Sequence, residues 1–126
     1  MSDIRSFHDL IVWQKAMALA EASYRLTGAY PRQEIYGMVA QIRRAAVSVP
    51  ANIAEGYGRE STGAFIQFLR IAQGSLKELE THILLSERLK LTANERTMVV
   101  RTECEEVGRL LRALIRSLQT KEGGSE

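Results

Sequence analysis

Apolar residues recur along this chain at intervals of three and four. The clearest run is Ile35, Val39, Ile42, Ala46, Val49 and Ile53, the spacing by which one helix faces another. A polar stripe through Gln41, Arg44, Ser48, Asn52, Glu55 and Arg59 keeps step with it. Together they predict a helix from about Gln33 to Gly56. Pro50 sits beside the apolar seam and withholds the donor that would bond the carbonyl of Ala46. Because the seam keeps its phase from Val49 to Ile53, one helix kinked at Pro50 is expected, not two separate helices.

The other periodic runs read as partners for that seam. Leu10, Trp13, Met17, Ala20 and Tyr24 predict a first helix starting near Phe7, with Ser6 and Asp9 as a capping box and Gly28 and Pro31 as the stop. Ser61 or Thr62 can cap a third helix carrying Phe65, Leu69, Ala72, Leu76, Leu79 and Ile83. Phe68, Ile71, Leu85 and Leu89 widen its apolar surface, which predicts burial on a second side, in the bundle or against another subunit. Leu91, Thr92 and Ala93 form a connection, with Thr92 and Glu95 as another capping box. The fourth helix repeats Val100, Cys104, Val107, Leu111, Leu114 and Leu118. Four helices of roughly 20 residues, about 30 Å each, joined by short turns, predict an all-α, antiparallel up-down-up-down four-helix bundle. It occupies residues 1–120, followed by a flexible tail over residues 121–126.

Composition narrows the function classes only slightly. The 126 residues carry a formal charge of +2, so net charge alone does not demand a nucleic-acid partner. Residues 1–77 hold nine Lys/Arg against six Asp/Glu, and residues 78–126 eight against nine. A single cysteine, Cys104, excludes an internal disulfide and agrees with a reducing compartment. The chain shows no signal-peptide pattern and no apolar run of membrane-spanning length. A soluble, cytoplasmic protein is expected.

Catalytic and metal chemistry finds little support. His82 has Leu79, not glutamate, three residues before it, so the di-metal Glu-x-x-His pattern is missing. Cys104 lies on a seam and reads as a buried thiol. Gly56-x-Gly58 lacks the strand and the lysine-serine pair of a phosphate loop. No cofactor or metal is expected. Basic residues remain. Arg43 and Arg44 stand among apolar neighbours with little acid nearby, and Arg59, Arg70 and Lys77 follow on the second and third helices or their connection. Such arginines either pair with acids such as Glu55, Glu78 or Glu80, or face a polyanion. Arg109, Arg112, Arg116 and Lys121 follow Glu103, Glu105 and Glu106 and suit the dipole of the fourth helix.

Three motifs, in order, carry a resemblance. Phe7-His-Asp-Leu-Ile-Val-Trp-Gln-Lys-Ala16, Gln41-Ile-Arg-Arg-Ala-Ala-Val-Ser-Val-Pro-Ala-Asn-Ile-Ala-Glu-Gly56 and Phe68-Leu-Arg-Ile-Ala-Gln-Gly-Ser-Leu-Lys-Glu-Leu-Glu-Thr81 resemble the signatures of the four-helix-bundle proteins encoded in intervening sequences of bacterial 23S ribosomal RNA genes. The match covers about residues 7–90. Lys90 stands where relatives often have glycine. The resemblance implies a four-helix bundle, often a ring-shaped homopentamer, and kinship with the accessory variability proteins of diversity-generating retroelements. Those bind nucleic acid and a reverse transcriptase through a basic surface. Arg43, Arg44, Arg59 and Arg70 match the motifs or their flank and become the candidate nucleic-acid-binding residues. The leading expectation is a non-enzymatic homo-oligomer, a pentamer, binding RNA or a ribonucleoprotein through a basic face. The alternative is a structural or protein-protein interaction module whose arginines pair with acids. A helical nuclease is a third, remote reading.

Overall fold

The structure is a computed structural model describing residues 4–124, with side chains described as far as Lys121. Among these residues are four α-helices and no strand: α1 Ile11–Thr27, α2 Met38–Tyr57, α3 Thr62–Arg88 and α4 Asn94–Gly124. Single 3-10 turns at Phe7–Asp9 and Arg32–Glu34 precede α1 and α2. Each long helix touches two others, α1 meeting α2 and α4, and α3 meeting α2 and α4. The diagonal pairs do not touch, so the helices stand at the corners of a square.

Specific contacts set the directions. Gly56 near the end of α2 approaches Phe65 and Phe68 near the start of α3, and Ser48, earlier in α2, bonds Ser75, later in α3. Glu87 at the end of α3 meets Thr97 and Arg101 at the start of α4. Leu10 and Val12 share a small surface recess with Leu110 and Leu114, while Leu26 shares another with Val99 and Val100. Successive helices therefore run in opposite directions, as the short connections require.

The core follows the predicted seams on α2, α3 and α4. Val39, Ile42, Ala46, Val49 and Ile53 pack against Leu69, Ala72, Leu76, Leu79 and Ile83, with Val100, Cys104, Val107 and Leu111 closing the other side. Pro50 is buried and α2 continues through it without interruption.

Four local expectations are corrected. The seam on α1 runs through Val12, Ala16, Leu19, Ser23 and Leu26, one residue step from the expected one, leaving Met17 and Tyr24 exposed. Ser23 is fully buried because its hydroxyl donates to the Leu19 carbonyl, which lets a polar side chain fill a core position. The capping box of Ser6 and Asp9 forms, but on the short 3-10 turn, so α1 starts at Ile11. Helix α2 starts at Met38: Gly37 is non-helical, the Glu34 carboxylate accepts the Met38 N–H at 3.2 Å, and Ile35 is left 48% exposed. At α4 the first carbonyl acceptor is Ala93, which bonds the N–H groups of Arg96 and Thr97, so Thr92 is not the cap. At the other end α4 is helical through Gly124; Ser125 and Glu126 lie outside the described residues.

Candidate nucleic-acid interface

The four arginines singled out by sequence go to four different places. Arg43 is absorbed between α1 and α2: its Nε donates to Thr27 Oγ1 at 2.9 Å and its guanidinium lies over the Tyr24 ring, 4.5 Å from the centroid. Arg44 is exposed beside α3 and donates to Gln41 on its own helix at 2.6 Å. Arg59 caps the α2–α3 end, paired with Glu55 at 2.8 Å and stacked over Phe68 at 4.7 Å. Arg70 projects into the groove between α3 and α4. Of the four, only Arg59 lies on a carboxylate among the described residues. The other two acids considered as partners are engaged elsewhere, Glu78 with His82 at 3.3 Å and Glu80 with Lys77 at 3.1 Å.

The polar stripe of α2 serves packing. Ser48 and Ser75 share a 2.7 Å hydrogen bond across the α2–α3 contact, and the Asn52 amide donates to the carbonyl and hydroxyl of Ser48. Small, mutually satisfied side chains let the two helices approach closely, and they mark the register of the pair.

The groove holding Arg70 is lined by three cations and no acid. It has a volume of about 400 Å3 and is lined by Arg70, Gln73, Gly74, Leu76, Lys77, Gly108 and Arg112. Glycines supply part of its floor: a Cβ at Gly74 would meet nothing within 4 Å, and one at Gly108 would touch Arg112 and Leu76 only at 3.4 Å. No acid lines the groove, and among the described residues Arg70 and Arg112 have no ion pair. Arg109, Arg112 and Arg116 are exposed and follow one another at three- and four-residue spacing, so they share one side of α4. These α4 arginines were masked in the sequence by their fit to the helix dipole. The signal that finds them is their register with Arg70 across the two glycines.

Burial shifts the ionisation of three further groups, raising the Tyr30 hydroxyl among them. Burial pushes the Cys104 thiol up to about 12, which leaves it protonated and unreactive at physiological pH. Burial also raises Glu103, against the opposing pull of Arg25. Among the described residues no three His, Cys, Asp or Glu side chains are placed to hold a metal ion, and no helix is long and apolar enough to cross a membrane.

The family model described as 23S rRNA-intervening sequence protein matches residues 8–113. The chain belongs to this family. A crystal structure from Bacteroides thetaiotaomicron, described as a protein of unknown function from the S23 ribosomal protein family, superimposes with a TM-score of 0.75 at 27% identity. The alignment covers 83% of this chain and 98% of that one. No curated protein matches the chain. Intervening-sequence membership thus rests on both sequence and fold, and it accounts for the bundle, not for the contents of the α3–α4 groove.

Proposed function

We propose that this intervening-sequence family member is a non-enzymatic, homo-oligomeric, cytoplasmic binding protein whose cationic α3–α4 groove takes the phosphate backbone of RNA or of a ribonucleoprotein. The observation that carries the reading is the cluster of Arg70, Lys77 and Arg112 around a glycine floor without a lining acid. Guanidinium groups present planar, paired donors that suit phosphate oxygens. Arg44 extends the positive surface, while Arg59 is taken up by its pair with Glu55.

Self-association is supported on the opposite side. Met17, Tyr24, Val47 and Pro50 line an open, largely apolar depression between α1 and α2, and three of them are large exposed apolar or aromatic side chains beside a buried proline. Exposed apolar surface of this kind marks an interaction site. A second copy is the proposed occupant, repeated into the pentameric ring that family resemblance implies. Filter retention of a structured RNA tests the binding claim. Retention at low salt that Arg70→Ala with Arg112→Ala abolishes is the expected result. Equal, negligible retention of the native protein at low and high salt rejects it and leaves the structural-module reading.

A further inference from the structure

The turn between α1 and α2 borders a second, half-open cavity of about 580 Å3, distinct from the groove above. That size lies within the range of about 300–1,000 Å3 typical of small-ligand sites. Thr27, Val39 and Ile35 form much of its wall, and Arg32, Arg43 and Tyr36 join them. No acidic residue lines it. The one nearby acid in the turn, Glu34, is turned to cap the Met38 N–H.

Three features distinguish this cavity from an ordinary turn. Arg43 is fixed through Nε to Thr27 and, at 3.4 Å, through Nη2 to the Tyr24 carbonyl, so its charge is positioned without being neutralised by a carboxylate. Arg32 has no ion pair among the described residues. Tyr36 is 95% exposed, a flat ring left beside two cations with almost no protein packing of its own. A ring-bearing anion would satisfy all three groups at once.

We infer that this cavity binds a nucleobase carrying a phosphate, with the phosphate on Arg32 and Arg43 and the base stacked on Tyr36. Both a free mononucleotide and an unpaired nucleotide of an RNA strand have that chemistry. The inference deepens the RNA-binding reading by adding recognition of an unpaired base to phosphate contacts elsewhere.

The test uses the full-length protein, with AMP, the trinucleotide ApApA and inorganic phosphate as probes in equilibrium dialysis. Base-bearing probes are expected to bind more tightly than inorganic phosphate. Preference for AMP points to a free nucleotide, and preference for ApApA to a strand. Tyr36→Ala and Arg32→Ala should each weaken binding on the order of tenfold, with unchanged thermal melting, because both side chains are exposed. Arg112→Ala should leave AMP binding intact while weakening retention of structured RNA. Loss of groove binding alone defeats the functional reading. Absence of AMP and ApApA binding, or unchanged affinity in Tyr36→Ala, defeats this inference alone. A change of oligomeric state in Tyr36→Ala also overturns it, since the ring then serves a second copy.

Discussion

A methyl group added at Gly56 should separate α2 and α3, the helix pair with the most extensive mutual packing. A Cβ there would lie 2.6 Å from the Phe68 Cβ, 3.1 Å from Phe65 Cδ1 and 3.3 Å from the Phe65 carbonyl oxygen. Carbon atoms in contact prefer about 3.5–4.0 Å, so α2 and α3 must part by roughly 1 Å. The Phe68 Cβ and the Phe65 carbonyl cannot move without the backbone of α3. Overpacking of this kind costs about 1–3 kcal/mol, and the rigid partners place it near the upper end. Alanine regains about 1 kcal/mol of helix propensity over glycine. Gly56→Ala should therefore lose about 2 kcal/mol net, lowering the melting temperature by roughly 6–10 °C. Gly74 provides the control: it is also inside a helix, but a Cβ there meets nothing within 4 Å, so Gly74→Ala should gain about 0.5–1 kcal/mol. Urea and thermal melts by circular dichroism measure both. An unchanged or higher midpoint for Gly56→Ala would refute the claim that α2 and α3 are in closest contact at this glycine.

Two further outcomes are expected. Lys90 ends α3 with φ at 58°, and the bonds Leu91 N–H to Ser86 and Lys90 N–H to Glu87 form the glycine-type helix stop; Lys90→Gly should stabilise the fold by about 0.5–1 kcal/mol in urea titration. Val47→Asp, placed on an exposed part of the apolar α1–α2 surface, should leave helix content unchanged while reducing the mass seen by light scattering toward the 14.1 kDa of one chain; an unchanged assembly would show that copies do not meet there.

Much of the bundle is legible in the periodicity of α2, α3 and α4, where aliphatic residues dominate the buried face and Ser86, Thr97 and Cys104 are the buried exceptions. On α1 the same reading fails, because Ser23 and Thr27 return their hydroxyls to carbonyls of their own helix and are buried like apolar groups. A hydrophobicity pattern counts them as polar and rotates the helix toward Met17 and Tyr24. The start of α2 is obscured in the same way, since Ile35 keeps the spacing of the seam yet precedes a non-helical Gly37. For the site, adjacency in sequence suggests that Arg43 and Arg44 act together, but neighbouring residues on a helix point about 100° apart. One turns to α1 and the other lies beside α3. The groove cations Arg70 and Arg112 are 42 positions apart in the sequence, and only the pairing of α3 with α4 brings them together.

The central claim, that the α3–α4 groove meets a phosphate backbone, is tested most directly by the salt dependence of RNA binding. Three phosphate contacts, through Arg70, Lys77 and Arg112, predict a slope of about −2.1 to −2.7 in log affinity against log salt, equivalent to a roughly 20- to 40-fold loss between 50 and 200 mM. Replacing all three with alanine should make the slope shallower by about 2. A native slope near zero, or the same slope in the triple variant, would contradict the assignment of this groove.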